Sequence, residues 1–214
     1  MSEQSLFSYV DHTALKAVTS WDEIRKLCHE AIEYGMASVC IPSGYIKRAH
    51  EAFPELNLCT VIGFPLGNCS TAAKIAEAEQ ALSDGASEID MVINLGMVKS
   101  GEYDACTDEI RALRRVTRGH ILKVIIETCY LTEEEKIRMC EAVTEAGADF
   151  IKTSTGFGTG GATHEDVRLM REHVGKEVCI KASGGIRTRE DMEAYIREGC
   201  ARIGTSGAIR MLAP

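Results

Sequence analysis

The stretch Phe150-Ile151-Lys152-Thr153-Ser154-Thr155-Gly156-Phe157-Gly158 runs from an apolar strand through a lysine into a polar, glycine-rich turn. A lysine closing a buried strand is costly unless it is paired or used. Taken alone, it reads as a side chain that snorkels out to solvent. Three further runs repeat the arrangement. Lys181 follows Val178-Cys179-Ile180, Lys123 lies within Ile121 to Glu127, and Asp90 lies within Glu88 to Asn94. Strand side chains alternate between faces. Opposite Lys152 stands Ile151, and opposite Lys181 stand Val178 and Ile180. Opposite Lys123 stand Leu122, Val124 and Ile126, and opposite Asp90 stand Ile89, Met91 and Ile93. Four consecutive strands thus have one apolar face, suited to covering helices, and one face bearing a charge. Charges converging on a shared interior indicate a closed parallel barrel.

The rest of the chain fits that frame. Strands are expected at Phe7 to Val10, Ala37 to Ile41, Leu58 to Ile62, the four charged runs, and Ala201 to Gly204. Helices are expected between them: from Trp21 to Tyr34, Ser43 to Phe53, Thr71 to Ser83, Tyr103 to Thr117, Glu133 to Ala146, Thr163 to Val174 and Arg189 to Glu198, with a last piece from Ser206 to Leu212. Ser20 with Glu23, and Thr132 with Glu135, have capping-box spacing. Glycine at 35, 85, 147 and 199 joins a helix end to a strand at every second unit, 50 to 62 residues apart. That spacing gives eight βα units, a (β/α)8 TIM barrel with residues 1–214 as one domain. An open doubly wound sheet is the alternative, but it has no use for charges within four successive strands.

Composition narrows the function. The 214 residues are 45 % hydrophobic and 26 % charged, an ordinary globular balance. A net charge of −8 disfavours nucleic acid or an anionic membrane as partner, but not a small phosphate in a local positive pocket. No run approaches a membrane span, and Met1 to Ser5 does not resemble a signal peptide. The nine cysteines are scattered without a Cys-x-x-Cys motif, and Cys40, Cys59, Cys129 and Cys179 lie in or beside strand-like runs. They read as reduced core thiols in a reducing cytoplasm, not as disulfides or a zinc site. His29 and His50 lack ligand spacing and are expected at the surface.

Two kinds of chemistry remain. A lysine with the reference pKa of about 10.4 is a free amine in only about one molecule in 2,500 at pH 7. Burial and a neighbouring cation both favour the neutral form. Lys152 and Lys181 occupy matching places on adjacent strands, so each disfavours charge on the other. A neutral lysine can attack a carbonyl and form a Schiff base, an electron sink for carbon–carbon cleavage. A buried ion-pair network of Asp90 and Glu127 with the lysines is the alternative that alternation alone leaves open. Separately, Ser183-Gly184-Gly185-Ile186-Arg187 and Gly204-Thr205-Ser206-Gly207 follow the seventh and eighth strands, where barrels commonly bind phosphate. Gly156, Gly158, Gly160 and Gly161 could add donors or form a mobile loop.

Residues, order and spacing together resemble the 2-deoxyribose-5-phosphate aldolase family, Schiff-base-forming class I aldolases. The resemblance runs through Asp11-His12-Thr13, Val39-Cys40-Ile41-Pro42, Gly63-Phe64-Pro65-Leu66-Gly67, Glu88 to Val92, Leu122 to Thr128, Lys152 to Phe157, Lys181 to Arg187 and Arg202 to Ser206. It implies that Lys152 forms the imine, that Lys181 perturbs it and relays protons, and that Asp90 acts with Lys181 in acid–base steps. Gly184, Gly185, Arg187, Gly204 and Ser206 match the family's phosphate positions. Lys123, Thr153 and Cys40 join the expected substrate site. The implied activity is reversible cleavage of 2-deoxy-D-ribose 5-phosphate to D-glyceraldehyde 3-phosphate and acetaldehyde, without metal or cofactor, by a cytoplasmic monomer or homodimer. Another class I phosphosugar aldolase, or a silent phosphosugar-binding protein, are the alternatives. Two departures stand out. Gly207 replaces the serine or alanine of many relatives, so a phosphate-contacting hydroxyl is expected to be missing. The chain ends Met211-Leu212-Ala213-Pro214, where some relatives have a longer tail ending in tyrosine, so closure over the phosphate is expected to be weaker.

Overall fold

The computed structural model describes residues 6–213. Met1 to Ser5, read above for a signal peptide, and the terminal Pro214 lie outside them. The strands are β1 (Val10–Thr13), β2 (Ser38–Ile41), β3 (Leu58–Ile62), β4 (Glu88–Val92), β5 (Ile121–Ile125), β6 (Phe150–Lys152), β7 (Cys179–Ser183) and β8 (Cys200–Thr205). Each pairs in parallel with the next, and β8 pairs with β1, closing an eight-stranded barrel. The helices are α1 (Trp21–Tyr34), α2 (Ile46–Ala52), α3 (Thr71–Ser83), α4 (Leu95–Lys99), α5 (Tyr103–Val116), α6 (Glu133–Glu145), α7 (His164–His173), α8 (Arg189–Arg197) and α9 (Ala208–Leu212). No helix of the described residues is long and apolar enough to cross a membrane.

The alternation of faces decides the layers. Ile89, Met91, Leu122, Val124, Ile151 and Ile180 pack outward into one cluster with helix residues such as Ile24, Ile110, Met139 and Met170. Cys40, Cys59 and Val61 form a separate small cluster. Both capping boxes are formed, at Ser20 with Glu23 and at Thr132 with Glu135. Gly35 takes the left-handed conformation (φ 65°) that lets α1 stop and β2 begin three residues later.

Some local readings change. Phe7 is in a helical turn rather than a strand: Tyr9 N donates to Leu6 O, and the Phe7 ring lies 4.6 Å from Tyr34 of α1. The strand begins at Val10, where pairing with β8 begins. The Ser43–Phe53 segment divides into a 3-10 turn at Ser43–Tyr45 and then α2. Helix α4 is additional to the expected elements; Asn94 Oδ1 nucleates it by accepting from the amides of Gly96 and Met97. The cysteines are free, but Cys179 is exposed rather than in the core, and Cys129 is half-buried. His29 and His50 are exposed, as expected.

Candidate active site

Inside the barrel Asp90 is the hub. Its Oδ1 accepts from Lys123 Nζ at 2.8 Å, and its Oδ2 accepts from both Lys152 and Lys181 Nζ at 2.8 Å. Register explains the meeting. Asp90 is the direct partner of Lys123 on β5, and Lys152 of β6 is the direct partner of Lys181 on β7. The ion pairs extend below this level. Lys181 reaches Asp11 Oδ2 at 2.5 Å, Lys123 reaches Glu88 Oε2 at 2.5 Å, and Arg202 bridges Asp11 and Glu88. The network therefore joins four cationic side chains to three carboxylates.

Electrostatics assigns the fixed charges. Burial pushes the Asp90 carboxyl up, but Lys123, Lys152 and Lys181 together outweigh it and hold the group well below the ordinary range. Burial likewise opposes the charge on Lys181, and Asp11 and Asp90 overcome it, raising its pKa. Lys123 is raised well above its ordinary value against burial, by Asp90 first. The repulsion expected between Lys152 and Lys181 is thus shared across one carboxylate oxygen, and Lys181 has Asp11 as a second anion.

A cavity of about 870 Å³ opens above the network. Lys152 lines it, whereas Lys123, Lys181 and Asp90 are sealed beneath. Gly184, Gly185, Arg187, Gly204 and Ser206 line the same cavity, so the two glycine loops and the β6 lysine meet in one place. Gly204 is required by close approach: a Cβ there would lie 2.9 Å from Ser183 Cβ and 3.2 Å from Lys181 Cε. Of the glycines after β6, Gly158 and Gly161 serve packing. A Cβ on Gly161 would meet the Gly184 carbonyl oxygen at 2.3 Å, and one on Gly158 would meet Cys129 Sγ at 2.8 Å.

Three other expected site residues do not line the cavity. Lys123 is fully buried among Glu88, Asp90 and Cys59. Thr153 faces away from the lysines, its hydroxyl donating to Ser183 O and accepting from Ser183 N, which ties β6 to β7. Cys40 is buried beside its register partner Cys59. A hydrogen bond from the Cys59 thiol lowers the Cys40 pKa. Cys40, Cys59 and Asp90 bring three ligand-type atoms within 4.8 Å, but the three ammonium groups on Asp90 would oppose a further cation.

Asp11, Glu88 and Arg202 anchor the network but are not among the expected site residues. Glu88 shares the parity of Asp90, so the rule already placed it inside. Asp11 stands at the end of the first expected strand, and in β1 it pairs with Ser38 and Gly204. Glu127, the alternative partner of the lysines, instead holds Thr155, accepting from its amide at 3.1 Å and from its hydroxyl.

This geometry has relatives. The sequence pattern of the DeoC/LacD family aldolases matches residues 6–213. The chain belongs to the DeoC/LacD aldolase family. It is 61 % identical over 213 residues to a deoxyribose-phosphate aldolase of Clostridium botulinum (strain Alaska E43 / Type E3), covering 99 % of this chain and 96 % of the relative. It is 54 % identical over 204 residues to the enzyme of that name from Clostridioides difficile (strain 630), covering 95 % and 93 %. Among solved structures, the tetrameric deoxyribose phosphate aldolase of Aeropyrum pernix superposes with a TM-score of 0.92 at 31 % identity, covering 99 % of this chain and 91 % of that one. The aldolase QR15 superposes with a TM-score of 0.93 at 42 % identity, covering 97 % and 94 %. In this DeoC/LacD aldolase the buried cluster lies under a cavity lined by the loops after β1, β6, β7 and β8 and by α1.

Proposed function

We propose that this aldolase cleaves 2-deoxy-D-ribose 5-phosphate reversibly to D-glyceraldehyde 3-phosphate and acetaldehyde, as a cytoplasmic aldehyde-lyase, through an imine on Lys152. The observation that carries the assignment is that Lys152 lines the cavity, whereas Lys123 and Lys181 do not. Charge count supports it: of the four cations against three carboxylates, Lys123, Lys181 and Arg202 are each held charged by carboxylates. Lys152 is the fourth, and its only ion-pair partner among the described residues is Asp90. The amine attacks the C1 aldehyde and water leaves, giving an iminium. A water in the cavity takes the C3 hydroxyl proton, the C2–C3 bond breaks, and its electron pair passes into the imine as an enamine. Glyceraldehyde 3-phosphate departs, C2 is protonated, and hydrolysis releases acetaldehyde and restores the lysine. The glycine loops and Arg187 hold the phosphate, which positions C1 over Lys152.

Borohydride reduction in the presence of acetaldehyde, followed by peptide mass mapping, tests this reading. The reduced adduct is expected on the peptide carrying Lys152. An adduct on Lys123 or Lys181 would overturn the assignment.

A further inference from the structure

The cavity wall between Ser206 and α9 departs from a plain glycine cradle. The Gly207 amide, which could have faced an anion, donates to Thr205 Oγ1 at 3.0 Å and is already engaged. Gly207 has no side chain to offer in its place. Over that gap lies the guanidinium of Arg210: a Cβ built on Gly207 would stand 3.2 Å from Arg210 Nη2 and 3.9 Å from its Cζ. Arg210 lines the cavity with Arg187 and Lys16. Two acidic residues share the lining, but both are engaged. Glu23 accepts from Ser20 N at 2.7 Å in the capping box of α1, and Glu30 meets His12 Nε2 at 2.8 Å and Lys26 at 3.7 Å. Among the described residues neither Arg187 nor Arg210 has a carboxylate partner. Two exposed guanidinium groups without carboxylates at one cavity mouth, beside backbone loops open to an anion, are matched by a dianionic group with several acceptor oxygens.

We propose that Arg210 is a second phosphate-binding cation of this site, lying across Gly207, and that it sets the preference of this chain for phosphorylated over unphosphorylated sugars. The inference rests on the phosphate reading given above and adds to it a residue outside the two loops. Its test compares Arg210→Ala, Arg210→Lys and Arg187→Ala with the parent protein. The readouts are the ratio of kcat/KM for 2-deoxyribose 5-phosphate to that for 2-deoxyribose, and the inhibition constant of inorganic phosphate at fixed ionic strength. For Arg210→Ala the ratio should fall roughly fivefold and phosphate inhibition should weaken by a similar factor, as expected for a solvent-exposed ion pair. Arg210→Lys should recover part of the inhibition, because it keeps the charge but not the planar fork. Thermal melting of each variant checks that the fold is kept, and Arg210→Gln serves if the alanine variant is unstable. If Arg187→Ala shifts both readouts and Arg210→Ala shifts neither, the role of Arg210 is refuted and the phosphate site stands. If neither variant shifts either readout, the phosphate site itself is misplaced and the proposal falls with it.

Discussion

Lys152 and Lys181 share an oxygen of Asp90, yet their surroundings differ. Lys181 is enclosed by Asp11 and Asp90, and both hold it as an ammonium. Its raised pKa places its titration above the unfolded value of about 10.4. Lys181 therefore remains a constant positive charge across the neutral range, and the neutral limbs of a pH–rate profile belong to other groups. Replacing it with leucine removes a cation 2.8 Å from the carboxylate oxygen that Lys152 also uses. Lys181→Leu should lose most activity at neutral pH, while borohydride still traps an adduct on Lys152, the lysine that lines the cavity. Loss of trapping together with activity would show that Lys181 is needed for imine formation itself.

Between β5 and the loop after β6, Glu127 forms a latch. It is the one non-glycine residue with positive φ among the described residues, at 49°. Its carboxylate accepts both the amide and the hydroxyl of Thr155, and Thr155 Oγ1 in turn accepts from Phe157 N at 3.0 Å. The loop that follows Lys152 is thereby shaped from the neighbouring strand. Thr155, Gly156 and Phe157 all line the cavity, so the latch acts on the site through the backbone. Glu127→Ala leaves the Thr155 amide unpaired and should cost about 1.5–3 kcal/mol, the range for a hydrogen bond to a charged group. In a chain of this size that is a melting temperature lower by roughly 3–12 °C. KM should rise in the same variant, because the loop wall is no longer held. Glu127→Ala with parental melting and parental KM would show that the loop is shaped by glycine packing alone. Gly158→Ala tests that second element: its Cβ would meet Cys129 Sγ at 2.8 Å, so Cys129→Ala should partly rescue it.

The whole molecule depends on the same cluster for stability in acid. Burial raises the Asp11 carboxyl, but Lys181, Lys123 and Arg202 outweigh it, and Asp90 is held low in the same way. A carboxylate whose folded pKa lies below its unfolded value of about 3.9 contributes stability that is fully present above that value. The contribution is lost as pH falls through the folded pKa. Unfolding monitored by far-UV circular dichroism should therefore begin below about pH 4 and remain flat from there to neutrality. Asp11→Asn would leave Lys181 and Arg202 short of an anion in the barrel core and should destabilise by roughly 3–5 kcal/mol at neutral pH. An Asp11→Asn protein as stable as the parent at pH 7, with an unchanged acid transition, would show that Glu88 and Asp90 balance the cluster without it.

Much of this was legible in the sequence because alternation in a strand is a local property. Ile89-Asp90-Met91 and Leu122-Lys123-Val124 each fix which side chains share a face, and capping boxes at Ser20 and Thr132 fix where helices begin. The charged interior, the eight-unit count and the two glycine loops follow from such short-range rules. Tertiary structure decided what depends on register around the closed barrel. Asp11 reaches Lys181, and Arg202 reaches Glu88, only because β8 pairs with β1 and the strand levels align across the interior. No spacing in the chain encodes that Lys152 reaches the cavity while Lys123, on the same inward face, is sealed by Glu88 and Cys59. The difference lies in height along the barrel: Lys123 pairs with Phe150, and Lys152 stands two residues nearer the mouth. Inward direction is written in each strand; depth belongs to the assembled sheet.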